Sequence, residues 1–347
     1  MSDALIDAFR EQVRWCDRLG SPFNARLLEW LADDWLAGGP MRQLLPSWTA
    51  GPPAHDLVPL RIAGACHALA LSGRHGELGQ LYPPAAAAFD AEALAPLLSC
   101  LLVDEAAHFH TYLASAPQTN EVMRSAVLIG GYAAIAQATG LPLALREIGA
   151  SAGLNLLWDR FRYELGAQRW GDEASPVRIA SDWRGNAPVL PARIGAAERR
   201  GNDLMPIDVG DDDAVLRLRS YVWPDQAARA VRLQGAIAIA RRERPVVDAG
   251  DAAAWVEREL AEPKPGVATV LVHSVVWQYL PPATRMRIEA ALAEAAQRAR
   301  TDAPLAWLRM EFYASGAPAE LRLTLWPGGV EKTLATAHPH GEWVEWM

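Results

Sequence analysis

Apolar residues recur at helical spacing through the first 140 positions and at strand spacing after them. Leu5, Phe9, Val13 and Cys16 share one helix face, and Leu27, Leu28, Leu31 and Trp35 share another. Ser21-Pro22 starts the second helix, with proline near its first position, and Gly38-Gly39-Pro40 ends it. Residues 46–56, rich in Pro, Gly and Ser, read as a loop. Further helices are predicted over Leu57–Leu71, Ala85–Ala114 (interrupted near Pro96) and Asn120–Ala138. No strand pattern occurs here, so residues 1–140 read as a helical N-terminal domain, closed by Gly140-Leu141-Pro142.

From Leu143 the period changes. Leu143 to Ile148 is an apolar run of strand length carrying Glu147 near its end, followed by Gly149, Ser151 and Gly153 and by the apolar stretch Leu154-Asn155-Leu156-Leu157-Trp158. Read physically, this is strand, tight glycine turn, helix. Such a turn lets a ligand approach bare backbone, and a helix start offers unpaired N–H groups. Phe161–Leu165 and Pro176–Ala180 are short alternating runs that predict a hairpin inserted at about 161–190, with Asp182–Asn186 as a turn. The segment 192–206 follows, with Glu198 within it and Asp203 placed as in an Asx turn before Pro206. Asp211-Asp212-Asp213 suits a helix start. Trp223-Pro224-Asp225-Gln226 opens a helix to about Arg242, in which Asp225 and Arg229 stand at i, i+4.

Arg244–Ala249 and Gly250-Asp251-Ala252 form another strand and turn, with Asp251 suited to a helix N-cap. Val267–His273 is β-branched and nearly continuously apolar, as in a central parallel strand; Ser274 follows, then Trp277 and Tyr279, then a helix from about Ala283 to Arg298. Leu305–Tyr313 is a strand. Glu320–Trp326 alternates strictly, Pro327-Gly328-Gly329 turns, and Glu331–Ala337 returns. The order predicts an α/β fold, a doubly wound sheet finished by an antiparallel C-terminal hairpin. Trp343 and Trp346 can pack the tail back onto it.

Composition narrows the partners. The chain has 347 residues, is 51% apolar and carries a formal charge of −8, and its 33 basic residues form no long run. Nucleic acid is therefore a disfavoured partner, because phosphate binding relies on clustered Lys and Arg. Cys16, Cys66 and Cys100 are widely spaced and read as buried free thiols in a reducing compartment. Asp3 and Asp7 interrupt the start, no basic segment leads into an apolar core, and no long apolar run suits a membrane span. Cytoplasm is the expected location. Glu105 and His108 have the i, i+3 spacing of di-iron helices, but no second copy accompanies them. They read as a solvated helix face with an ion pair, and no metal is expected.

The glycine segment lacks the dinucleotide fingerprint, whose first, third and sixth places here hold Gly149, Ser151 and Leu154. It resembles motif I of Rossmann-like S-adenosylmethionine-dependent methyltransferases: an apolar strand, the acid Glu147, then Gly149 and Gly153, with Ser151 at the middle position. That resemblance implies a methyltransferase domain over 141–347 and S-adenosylmethionine as cofactor. It implies cofactor contacts from Glu147, Gly149, Ser151, Gly153 and Asn155. Asp203, or Glu198 if that strand stops earlier, would hold the ribose hydroxyls; Asp203 lies 56 residues after Glu147, a gap that the inserted hairpin would explain. Asp251 and Ala252 would lie at the adenine, and His273 and Ser274 would face the transferred methyl group. His273 is the candidate general base. Trp223, Trp277 and Tyr279 are candidates for the acceptor side, with a small molecule as acceptor. An NAD(P)-dependent oxidoreductase and a non-catalytic nucleoside-binding protein are the alternatives. The whole chain also resembles a family of uncharacterised bacterial proteins known only as a domain of unknown function, which implies the same fold and names no substrate.

Overall fold

The computed structural model describes residues 2–314 and 316–347. The chain divides into two compact units, Met1–Thr119 with Gly210–Val231, and Asn120–Val209 with Arg232–Met347. A single boundary at residue 140 does not describe this division. The helix Ser125–Thr139 is apolar on every side and packs on strands of the second unit, and residues 210–231 return to the first.

The first unit is helical. Pro22–Ala37 buries the stripe Leu27, Leu28, Leu31 and Trp35. Its N-terminus is capped from a distant segment. The Asp225 carboxylate accepts from the Ser21 hydroxyl and, at 2.9 Å, from the Phe23 N–H, which satisfies donors that a helix start leaves open. The helix expected over Ala85–Ala114 is instead two, Ala91–Asp104 and Ala106–Leu113. Asp90 caps the first of them by accepting from the Glu92 and Ala93 N–H groups, and Ala85–Ala88 lies outside it. Cys16 and Cys66 are buried free thiols, whereas Cys100 is exposed, which corrects the expectation for that residue. Glu105 pairs with His75 at 2.9 Å, and His108 bonds the Ala65 carbonyl, so the two side chains at i, i+3 serve different partners.

The second unit is built on a mixed sheet. Its strands are β1 (Leu143–Ile148), β2 (Arg162–Leu165), β3 (Gln168–Trp170), β4 (Arg178–Gly185), β5 (Ala196–Asp203), β6 (Val246–Ala249), β7 (Ala268–Ser274), β8 (Leu305–Glu311), β9 (Ala319–Trp326), β10 (Val330–Ala337) and β11 (Trp343–Trp346). They lie in the order β3-β2-β4-β11-β10-β9-β8-β7-β1-β5-β6. The block β6-β5-β1-β7-β8 is parallel throughout, and β8, β9, β10 and β11 follow as an antiparallel meander. All six residues of β1 are buried, as a strand covered on both faces requires. Segment 182–186 continues strand β4 as far as Gly185 where a turn was expected. Pairing with β11 from Asp182↔Trp343 to Gly185↔Trp346 supplies its hydrogen bonds. The insertion is therefore larger than a hairpin: β2 and β3 form the hairpin, and β4 runs parallel to β2. Trp346 lies edge-on to Trp183 and against Gly130 of the helix Ser125–Thr139, where a side chain would collide with its ring.

Among the described residues no helix is long and apolar enough to cross a membrane.

Candidate functional site

Within the parallel block the chain leaves β1 for β5 and β6 on one side and then crosses to β7 and β8 on the other. The strand order therefore reverses between β1 and β7. In such sheets the crevice beyond the carboxyl ends of the strands at this switch point is where ligands bind. Parallel pairing brings the ends together: Glu147 lies opposite Gly201 and Val272, Asp203 opposite Ala249, and Ser274 opposite Met310.

Gly149, Ser151 and Gly153 leave β1 with φ of 68°, 55° and 70°. Glycine takes this left-handed conformation at no steric cost, whereas Ser151 does not. The turn is packed against its neighbours. A Cβ on Gly149 would lie 2.5 Å from Val276, and one on Gly153 would lie 2.9 Å from Val247. Ala150 N–H donates to the Asn202 carbonyl, Ser151 N–H to the Asp203 carboxylate (2.9 Å), Gly153 N–H to the Ala150 carbonyl and Leu154 N–H to the Asn120 side chain (3.0 Å). The α-helix expected after the turn is a 3-10 stretch, Leu154–Arg160, interrupted at Leu157. The anion cradle of an open helix start is thus replaced by a turn whose N–H groups are largely spent. The side chains are less satisfied: Ser151 Oγ and Asn155 Oδ1 are buried without a hydrogen-bond partner.

Glu147 is 4% exposed, and burial pushes its carboxyl up to about 8; Asp203 adds to the rise and Arg124 opposes it. Arg124, absent from the sequence expectations, donates to the Ser274 and Pro339 carbonyls. Asp203 binds the turn through Ser151 N–H and also accepts from Met205 N–H. Glu198, the alternative acid, sits near the start of β5 and pairs with Arg146 and Lys264, away from the carboxyl ends. Asp251 caps the helix Ala252–Glu259 through its Oδ1, which also meets Arg287 at 3.3 Å. Ala252 packs on the apolar cluster of the unit.

His273 departs most from expectation. The ring is wholly buried. Trp307 donates its indole N–H to Nε2 at 3.0 Å, so Nε2 must accept, and Nδ1–H donates to Glu311 at 2.7 Å. Both ring nitrogens are occupied, which removes His273 as a general base in this arrangement. Glu311 also accepts from the N–H groups of Val276 and Trp277, and Trp277 stacks on the imidazole at 5.0 Å. Glu311 and Trp307 belong to this site and escaped sequence reasoning. The available signal was an apolar strand, Leu305–Glu311, ending in an acid as β1 nearly does. Tyr279 is exposed, and Trp223 packs on the core of the first unit.

The corner therefore gathers Glu147, Gly149, Ser151, Gly153, Asn155, Asp203, Asp251, His273 and Ser274 at the carboxyl ends of adjacent strands. It supplies mainly hydrogen-bond acceptors, a set suited to a ligand rich in O–H and N–H donors. No curated protein and no solved structure matches the chain. Residues 6–346 match the model of the family DUF2332, described as an uncharacterized protein conserved in bacteria, and the chain belongs to that family.

Proposed function

We propose that the second unit binds S-adenosylmethionine in the crevice at the ends of β1 and β7 and acts as a methyltransferase on a small-molecule acceptor. The observation that carries this reading is the order β6-β5-β1-β7-β8, which sets Glu147, Asp203, Asp251 and Ser274 at the ends of four adjacent parallel strands. The residues suit the cofactor. Asp203, at the end of β5 and bonded to the N–H groups of Ser151 and Met205, is the acid that would accept from ribose hydroxyls. Both polar contacts of Asp251 use Oδ1, which leaves Oδ2 for the adenine amino group, and beside it the open backbone of Gly250 has no atom within 4 Å of a would-be Cβ. The unpartnered Ser151 Oγ and Asn155 Oδ1 would gain donors.

Bound there, S-adenosylmethionine supplies an activated methyl group. The task of the chain is then to orient that group against the acceptor and exclude water, which is proximity catalysis. With both His273 nitrogens occupied, the acceptor would bring its own nucleophilic lone pair. The same observation favours the second reading, a nucleoside-binding member without chemistry.

Calorimetric titration with S-adenosylhomocysteine, and separately with NADH, tests the reading. Micromolar binding of the first and none of the second is the expected result. No binding of S-adenosylhomocysteine by the folded protein would overturn the methyltransferase reading, and binding of NADH alone would favour an oxidoreductase.

A further inference from the structure

The helical unit has a cleft of its own, about 480 Å³, lined by Trp48, Asp56, Arg61, His110 and Leu113 among others. At its wall Arg61 is 7% exposed. Its Nε donates to the Asp56 carbonyl at 2.8 Å, and Nη1 donates to the Leu113 carbonyl at 2.6 Å. These bonds use two of the five guanidinium N–H groups. Among the described residues no carboxylate lies within ion-pair distance of Arg61. The Asp56 side chain is turned to other partners: it accepts from the Trp48 indole at 2.6 Å and faces His55 at 3.4 Å. Buried charges are ordinarily paired, because desolvation without a counter-charge is expensive. Burial accordingly lowers the pKa of Arg61, and Asp56 only partly offsets it. Trp48 lies against the guanidinium, 5.1 Å from ring centroid to Cζ, and Leu113 adds an apolar surface.

We infer that this cleft binds a small carboxylate with a flat apolar body, whose oxygens take the remaining Arg61 N–H groups while Trp48 and Leu113 hold the body. A planar guanidinium fork suits a carboxylate, and the missing counter-charge is what such a ligand brings. His110, exposed at the rim, adds a further donor. This inference does not depend on the crevice of the other unit.

The test is NMR titration of the whole protein with benzoate and with its neutral isostere benzamide, read at the Trp48 indole N–H, which a Trp48→Phe variant assigns. Benzoate should shift that signal saturably and bind at least tenfold more tightly than benzamide. Because Arg61 also braces two carbonyls, its replacement could unfold the unit. The exposed Ala114→Trp variant, which fills the cleft, is therefore the second arm and should abolish the shift. Equal affinity for the two probes, no shift in the folded protein, or binding that survives Ala114→Trp would each overturn the inference.

Discussion

Glu147 and Glu311 stand near or at the ends of two apolar strands of one sheet and are buried alike, at 4% and 3% exposure. Their surroundings are opposite. Glu311 accepts from His273 Nδ1, Val276 N–H and Trp277 N–H. Glu147 has no such set of donors, and burial dominates its titration. Depth alone therefore does not assign a carboxylate its role: the donors around it do. Glu311 reads as structure, the clamp that holds the 275–277 segment with Val276 over Gly149. Glu147 lies just before the turn as a carboxyl whose titration burial sets.

Four measurements put this contrast at risk. The largest effect concerns pH. With a folded pKa of about 8 against an ordinary unfolded value, Glu147 keeps its proton in the folded state over the interval between them. The native state then binds more protons than the unfolded one, so stability falls as pH rises from about 4 to about 8, by on the order of 4 kcal/mol, and levels off above. Urea unfolding of wild type and Glu147→Gln at pH 5 and pH 8.5 should show that slope in the first and lose most of it in the second. Equal slopes would mean that Glu147 does not carry the titration that its burial predicts.

Next in size, Glu311→Ala strands the buried His273 N–H and two half-buried backbone N–H groups and should cost about 3 kcal/mol, while Glu311→Gln, which retains an acceptor, should cost less. Equal losses in the two variants would mean that packing, not acceptance, is what Glu311 contributes. Gly149→Ala must place a Cβ 2.5 Å from Val276 at φ 68°, for a loss of about 2 kcal/mol by chemical unfolding. The smallest effect has the opposite sign. Val275, a β-branched residue at φ 54°, is strained, so Val275→Gly should stabilise by about 1 kcal/mol. A loss there would show that contacts of the valine outweigh the strain.

The parallel block was legible because burial writes itself in composition: Leu143–Ile148 and Val267–His273 read as covered strands, and Glu147, His273 and Ser274 at their ends followed. Three features were not legible. Strand β4 alternates through Ser181, Asp182 and Trp183, but its continuation depends on β11, more than 150 residues away, whose edge supplies the hydrogen bonds. The occupied nitrogens of His273 depend on Trp307 and Glu311, brought alongside only by the pairing of β7 with β8. Asp203 signalled itself by local sequence, yet its bond to Ser151 N–H arises from β1 and β5 lying side by side. In each case the missing information was a partner distant in the chain.

A nucleoside ligand is proposed for the crevice between the ends of β1 and β7. Hydrogen–deuterium exchange of the whole protein with and without saturating S-adenosylhomocysteine tests it most directly. Added protection confined to residues 147–155, 203–205, 249–252 and 273–277 is the expected result. Protection absent from these segments, or appearing only elsewhere, would contradict it.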